Sequence, residues 1–252
     1  QNNYSSWCDD VCRQTLKEAG FWEAYNYSFI KKSDIETFGL KAENVLKIVN
    51  PLNIDFEYLR PTLLVNLIKK SINENCADFF EIGKIFNKNG RRERKQIAAI
   101  SERNFFQIKG IIELLAKRLS IGQMEFIPFS SNHLIYDAKN SATIFAAKKQ
   151  IGAIGKILNE ITSQNDCQKA FTAFELDLDA LLELANQRIV YRPISAYPPV
   201  IRDLAILAPR ATLSGDIIAE ILKVGGKLIV SIEPIDIYEG SNIPAGLKNI
   251  AF

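Results

Sequence analysis

The side chains best suited to acid–base chemistry lie in one apolar run, Phe79 to Phe86, which carries Glu81 and Lys84. A short apolar run of this kind predicts a buried strand. Successive side chains of a strand point to opposite faces of a sheet, so residues three apart face opposite sides. Glu81 and Lys84 therefore cannot act as a pair on one substrate. We expect a structural ion pair or a rim contact for each of them.

Histidine and glycine give no stronger signal for catalysis or for a cofactor. The single histidine, His133, follows the polar run Ser130 to Asn132 without a serine–carboxylate pattern nearby. Histidine is the usual general base, but this setting favours a surface loop. Gly152 and Gly155 lack the full dinucleotide fingerprint, which favours a tight bend. We predict no catalytic and no cofactor-binding residue in the chain.

Cysteine placement does not indicate a metal centre. Cys8 and Cys12 are one helical turn apart, whereas Cys76 and Cys167 are isolated in the sequence. A closed zinc site needs more ligands than these two cysteines and a lone histidine can supply. We expect buried or idle thiols of a reducing cytosol and no metal site.

Composition excludes several classes of protein. The 31 basic and 29 acidic residues leave a net charge of +2, which gives no general reason to expect nucleic acid or an anionic membrane as partner. The apolar fraction of 47% supports a sizeable core. No apolar run reaches the roughly 18 residues of a membrane span, and the first ten residues lack a signal-peptide layout. We expect a soluble cytoplasmic protein that binds no membrane.

Hydrophobic periodicity up to about residue 190 predicts helices mixed with strands. Two helices are expected at Asp10 to Ala19, closed by Gly20, and after Pro61, which suits a first helical position. Further expected elements are a strand over 23–30, a capping box at 33–36, a strand over 46–49, a hairpin of 79–86 with 96–100, a helix over 108–119, strands over 126–129, 142–147, 150–157 and 170–176, and a helix from Asp177 to Leu184.

The character of the sequence changes after Gln187. The stretch Arg192 to Pro199 holds three prolines and predicts a linker or domain entry. A strand is expected over 204–208, a helix over 214–224, a strand over 228–238 and a last strand from Lys248. The order β-α-β-β is the first part of a ferredoxin-like unit. Such a partial sheet leaves an edge and a face uncovered, so we expect a further helix and strand beyond Phe252.

Four sequence motifs, taken in order, resemble the C-terminal part of the β subunit of bacterial phenylalanyl-tRNA synthetase. The resemblance runs nearly end to end, although the stretch around Arg103 is shorter than is usual in that family. These motifs are Asn50–Leu52 with Leu59–Leu64, Phe80–Phe86, Tyr197–Pro198 with Arg202–Ala205, and Asp236–Gly240 with Lys248–Phe252.

The resemblance implies an α+β fold in two domains. Residues 1–192 would be a catalytic-like domain, a class II synthetase-like antiparallel sheet with flanking helices that has lost its active site. Residues 193–252 would be a ferredoxin-fold anticodon-binding domain, truncated to β-α-β-β. The chain would bind no cofactor, pack on the catalytic α subunit through helices such as 10–19 and 61–75, and hold phenylalanine tRNA. The parent complex, a heterotetramer of two α and two β subunits, would attach phenylalanine to tRNA with ATP and magnesium.

The residues themselves support lost catalysis. A class II site compensates phosphate charge with an arginine on a strand and another at a glycine-rich junction, and such compensation is usually the largest catalytic term. Here the corresponding strand carries Glu81 and Lys84, and no arginine follows the glycine-rich run 151–156.

Recognition of RNA would have to be local. Residues 193–252 contain five basic and six acidic residues, so attraction to the phosphate backbone cannot dominate. The basic run Arg91 to Lys95 is more typical of a solvated hairpin end than of an RNA contact. Tyr238 matches the tyrosine at which the family contacts the anticodon, and Asn249 stands where serine is more usual. Without the resemblance, strand-end packing would be the favoured role of Tyr238.

Two other functions stay open on the residues alone. One is a self-sufficient ATP-dependent ligase with divergent active-site residues. The other is an oligomerisation module with no RNA role.

Overall fold

The computed structural model describes residues 2–74, 78–88, 93–129, 134–164, 167–187, 196–240 and 242–252. The chain divides into two compact units, residues 1–190 and 191–252. Within the described ranges, no helix is both long and apolar enough to cross a membrane. The domain boundary expected after residue 192 falls outside these ranges and stays a prediction.

A mostly antiparallel sheet forms the centre of the larger unit. The described strands of this unit are β1 Trp22–Glu23, β2 Phe29–Ile30, β3 Tyr58–Leu59, β4 Phe79–Phe86, β5 Glu93–Ser101, β6 Met124–Pro128, β7 Tyr136–Ala146, β8 Lys149–Ile157 and β9 Thr172–Asp177. Among the described residues, seven strands join in the order β1-β4-β5-β9-β8-β7-β6, with only β1 and β4 parallel. Strands β2 and β3 pair antiparallel beside it.

Helices cover both faces of this sheet. On one face lie α1 Asn2–Glu18, α4 Phe105–Arg118 and α6 Leu178–Leu184, and on the other lie α2 Lys32–Thr37, α3 Leu64–Asn73 and α5 Asn159–Ser163. Neighbouring residues such as Phe79 and Phe80 belong to the two different cores. Successive side chains of a strand point to opposite faces of the sheet. A strand that is buried on both faces therefore has a continuous run of apolar residues.

The strongest periodic signals are confirmed by the structure. The hairpin of β4 and β5 pairs Phe79 with Ile100 and Phe86 with Glu93. Helix α4 and the capping role of Asp177, whose Oδ1 accepts from the amide of Ala180 at 3.0 Å, are also as expected. The predicted α+β class, with a mostly antiparallel sheet and flanking helices, is confirmed.

Several expected boundaries are wrong because tertiary contacts override local signals. Helix α1 begins at Asn2, well before residue 10, since Tyr4 Oη donates to the carbonyl of Ala185 and Cys8 is buried. Helix α3 begins at Leu64 rather than at Pro61, and the hydroxyl of Thr62 accepts from its first amide.

The segment that follows Gly20 also departs from expectation. The expected strand over 23–30 is split, because Ala24 donates to Phe80 in one sheet and Ser28 accepts from Arg60 beside the other. Residues 46–49 form no strand beyond a single bridge between Lys47 and Tyr58. The N-terminus of α2 is capped by Asp34 on the amide of Lys31, instead of by the expected 33–36 box.

The smaller unit has the expected β-α-β-β order. Its elements are β10 Ala205–Pro209, α7 Ser214–Gly225, β11 Asp236–Tyr238 and β12 Leu247–Ala251, and the antiparallel strand order is β10-β12-β11. The long strand expected over 228–238 is wrong, because only its last three residues pair with β12. Pro234 explains the late start, since proline cannot donate a ladder hydrogen bond.

Candidate nucleic-acid interface

Tyr238 and Asn249 are direct partners across two strands of the smaller unit. Strand β12 is central, and Asn249 pairs with Tyr238 of β11 on one side and with Leu207 of β10 on the other. Directly opposed residues of antiparallel strands point to the same face. The three side chains therefore form one row across the sheet, which we call the recognition row. Both Leu207 and Tyr238 are exposed, so this row lies on an open face.

Asn249 supplies a polar group at the centre of the recognition row. Its Oδ1 atom is buried, and among the described residues no donor reaches it. A buried polar oxygen without a partner is uncommon in a stable protein, because its lost hydration is not replaced. The asparagine amide combines an acceptor with two donors, which are the groups needed to bind the edge of a nucleobase.

Tyr238 supplies an aromatic face at the end of β11. Its side chain is 46% exposed, which leaves ring surface available to a stacked base. The ring packs over Gly240, where an added Cβ would lie 1.8 Å from Tyr238 Oη. A larger residue at this position would have to displace the ring, so Gly240 allows the ring to lie where it does. We did not assign Gly240 or Leu207 from the sequence, although the run Asp236 to Gly240 contains the signal.

The acid that follows Tyr238 in the chain is paired with a cation. Arg210 lies 3.4 Å from Glu239. Asp236 is on the same face as Tyr238, since it pairs with Ala251 two residues along β12. This face therefore does not present a diffuse positive charge to a phosphate backbone.

In the larger unit, Glu81 and Lys84 each have an ion-pair partner, as expected. Glu81 lies 2.7 Å from Arg60, and both side chains are at most 4% exposed. Asn26 donates to the other oxygen of Glu81 at 2.6 Å. Lys84 lies on the opposite face, 2.6 Å from Glu93, and both side chains are largely exposed. Neither group is available to a substrate.

Next to the Arg60–Glu81 pair, a second acid opens onto a cleft of about 760 Å³ along β5, β9, β8 and β7. Glu175 Oε2 accepts from Thr62 Oγ1 at 2.7 Å and from Gln96 Nε2 at 2.9 Å. Burial raises the pKa of Glu175 above its ordinary value, although these two hydrogen bonds and Arg94 oppose the rise. Sequence reasoning missed Glu175, which stands in a buried strand with no local motif.

The expected tight bend at Gly152 and Gly155 is wrong. Both glycines lie inside strand β8. A Cβ on Gly152 would lie 2.1 Å from the carbonyl oxygen of Glu175, and one on Gly155 would lie 2.0 Å from Ser141 Oγ. The glycines therefore allow close approach of neighbouring strands, a common use of glycine in a sheet.

Cys8 and Cys12 are both buried on α1, as the helical spacing indicated. Hydrogen bonding between the two thiols lowers the pKa of Cys8 and raises that of Cys12. Across the ranges that the structure describes, no group of three histidine, cysteine or acidic side chains is arranged to hold a metal. His133 and Cys76 lie outside those ranges.

The basic run of the β4–β5 hairpin is described only in its second half. Arg94 lies 3.8 Å from Asp177, and Lys95 forms an ion pair with Asp9. Arg91 and Arg92 lie outside the described residues. The two described cations form ion pairs within the protein, and the solvated hairpin end stays a prediction.

Both units match known family models. Residues 2–178 match the phenylalanyl tRNA synthetase beta chain CLM domain, and residues 195–252 match the ferredoxin-fold anticodon binding domain.

Similar chains include the phenylalanine–tRNA ligase beta subunits of Fusobacterium nucleatum, 33% identical, and Clostridium acetobutylicum, 27% identical. Each match covers 96% of this chain but 33% of the relative, so the chain spans about a third of their length.

A solved structure, the pyrrolysyl-tRNA synthetase from Desulfitobacterium hafniense, superposes with a TM-score of 0.60 at 15% identity, over 71% of this chain and 68% of the other. A second structure from the same organism, described as PylSc, gives a TM-score of 0.58 at 14% identity, over 72% of each chain. At this identity the likeness shows a shared fold.

Proposed function

Because the chain belongs to the phenylalanyl-tRNA synthetase β chain family, we propose that it is a non-catalytic, tRNA-binding part of that enzyme. The parent complex would join phenylalanine to its tRNA with ATP and magnesium, as a cytoplasmic heterotetramer of two α and two β subunits. The observation that carries the RNA role is the recognition row, in which an exposed tyrosine and a buried, unpartnered amide oxygen are adjacent on an open sheet face.

The recognition row supports binding of unstacked bases. A base of the anticodon loop would stack on the ring of Tyr238, and an adjacent base edge would donate to Asn249 Oδ1. Stacking of a base on an aromatic side chain contributes about 1–3 kcal/mol and needs no net positive charge. This mode suits a unit whose sequence is slightly acidic, because the contacts are local.

Residues 1–190 would support the complex without catalysing the reaction. The cleft does not fit ATP, since Glu175 and Asp177 line it and would repel phosphate groups. Arg94, the cation next to them, is close to Asp177. Lys95, which also lines the cleft, pairs with Asp9, and Arg60, outside the lining, is held by Glu81. Among the described residues, no unpaired cation lines the cleft to compensate charge on a phosphate, the term that adenylation most needs.

Packing on the α subunit would use an exposed apolar edge rather than helix α3. Helix α3 is buried against its own sheet over most of its length, including Leu64, Leu67 and Ile68. Six large apolar side chains are instead exposed on two neighbouring segments, which the contact of Tyr27 with Phe56 joins at 5.5 Å. These side chains, the apolar edge, are Trp22, Tyr25, Tyr27, Val49, Leu52 and Ile54.

A grouping of this kind is typical of a protein interface. We therefore assign the apolar edge to the α subunit, the partner that the family requires.

Co-purification with the α subunit tests this proposal. A tagged α subunit should retain the full-length β chain, and a Tyr27→Ser/Leu52→Ser variant should be retained at least tenfold less. Phe106→Ser, which changes an equally exposed aromatic residue outside the apolar edge, should be retained like the unchanged chain. Failure of the unchanged chain to associate would refute the proposal.

A self-sufficient ligase predicts a different result. Phenylalanine-dependent exchange of pyrophosphate into ATP by the purified chain alone would support that function and contradict ours. We expect no exchange until the α subunit is added.

A further inference from the structure

The cleft of the larger unit combines an apolar wall with a polar floor. Ile127, Phe129 and Phe145 line one side, from β6, β7 and the chain next to them. Polar and charged side chains line the rest of the cleft, including Gln96, the acids Glu175 and Asp177, and the cations Arg94 and Lys95. A volume of about 760 Å³ lies within the range of small-molecule sites, which combine apolar walls with a few placed polar groups.

Glu175 is held rigidly at the floor of this cleft. Its hydrogen bonds from Thr62 and Gln96 both end on Oε2. Gln96 is itself fixed, because its Oε1 accepts from the amide of Leu63 at 3.2 Å. Among the described residues, no comparable hydrogen bond reaches Glu175 Oε1. The carboxylate therefore has one committed oxygen and one that is free to accept from a ligand.

The cations around Glu175 are committed to other acids. Arg60 is 2.7 Å from Glu81, Arg94 is 3.8 Å from Asp177, and Lys95 pairs with Asp9. Among the described residues no cation forms an ion pair with Glu175, although Arg94 still favours its charged form. Burial of a carboxylate whose hydration is only partly replaced by hydrogen bonds is costly for the fold. Acids kept in such surroundings are enriched at binding sites.

We propose that this cleft binds a small organic cation, with a primary ammonium bound by Glu175 Oε1 and an aromatic body packed against Phe129 and Phe145. The ammonium would donate to the free oxygen and form a direct ion pair, which no described side chain forms with Glu175, in addition to the attraction of Arg94. A ligand with a carboxylate or phosphate in the same position would be repelled. This ligand site is separate from the recognition row and from the apolar edge, so it goes beyond the function proposed above.

Binding of 2-phenylethylamine to the full chain tests the proposal. We expect saturable binding by isothermal titration calorimetry at about pH 7.5. The isosteric alcohol 2-phenylethanol should bind at least tenfold more weakly, and 3-phenylpropionate should not bind. These two controls keep the aromatic body and change only the charged group.

Two variants show whether Glu175 is responsible. Glu175→Gln keeps an acceptor for Thr62 but removes the charge, and should weaken amine binding at least tenfold. Thr143→Lys keeps Glu175 and places a cation on the cleft wall, so it should block the site by an independent change. Glu102→Gln, which alters an exposed acid paired with Lys169, should leave binding unchanged.

Equal binding of the amine and the alcohol would overturn the proposal, as would undiminished amine binding by Glu175→Gln. Absence of saturable amine binding would overturn it as well. None of these results bears on tRNA binding, because the recognition row is not altered.

Discussion

Replacing Arg60 by methionine is a severe test of the structural role assigned to the larger unit. The guanidinium lies 2.7 Å from Glu81, and the two side chains are 3% and 4% exposed. Arg60 Nε also donates to the carbonyl of Lys84 at 3.1 Å. Its Nη2 atom occupies the space beside Gly83, where a Cβ would lie 2.5 Å away. The guanidinium of Arg60 is therefore enclosed by Glu81, Gly83 and the carbonyl of Lys84.

The expected loss of stability follows from the charge left behind. Arg60→Met leaves the Glu81 carboxylate buried with Asn26 as its remaining partner. Breaking a buried ion pair by removing one partner costs about 3–5 kcal/mol, because the other charge stays uncompensated. Replacing both residues removes that penalty. We therefore expect Arg60→Met/Glu81→Met to be within about 1–2 kcal/mol of the unchanged protein.

Urea unfolding followed by tryptophan fluorescence measures both free energies, since Trp7 and Trp22 report on the larger unit. The matched control is Lys84→Met, which removes the exposed pair with Glu93 and should cost less than about 1 kcal/mol. A loss below about 1 kcal/mol for Arg60→Met would refute the reasoning. So would a double variant whose loss equals the sum of the two single losses.

Three further changes have definite expected outcomes. The raised pKa of Glu175 gives stability that is present below its ordinary pKa of 4.5 and lost as pH rises through the raised value. Glu175→Gln, which imitates the neutral acid, should therefore increase the free energy of unfolding at about pH 7 and change it little near pH 4, as urea titrations at both pH values would show. Gly240→Ala should displace the ring of Tyr238 and weaken binding of the anticodon stem-loop about 5-fold or more, by fluorescence anisotropy, with an unchanged circular dichroism spectrum. Asp177→Ala removes the N-cap of α6 and should lower the free energy of unfolding by about 1 kcal/mol in a urea titration. Asp179→Ala, two residues along the same helix, removes a charge without removing the cap and should lower it less.

Much of the fold is predictable because its strongest signals are local. The apolar run Phe79 to Phe86 is a strand and its hairpin partner follows directly along the chain, so the sequence alone identifies the pair. Boundaries fail where distant residues decide them. Tyr4 extends α1 through the carbonyl of Ala185, a contact between residues 181 positions apart.

The two sites differ in how far the sequence could lead. Tyr238 and Asn249 were predicted from a family resemblance, and the structure adds that they are direct partners in one row. Glu175 could not be predicted in the same way. Its partners Thr62 and Gln96 are 113 and 79 positions away. The pairing of β5 with β9 brings Gln96 to Glu175, and Thr62 reaches it from the segment before α3.

The central claim, that this chain positions tRNA without taking part in amino-acid activation, is tested most directly by Tyr238→Ala in the complete synthetase. Loss of one stacked base, worth about 1–3 kcal/mol, should lower kcat/KM for phenylalanine tRNA by about 5- to 150-fold. Phenylalanine-dependent ATP–pyrophosphate exchange by the same complex should not change, and Phe106→Ala should alter neither activity. Unchanged tRNA charging, or a parallel fall in pyrophosphate exchange, would contradict the account.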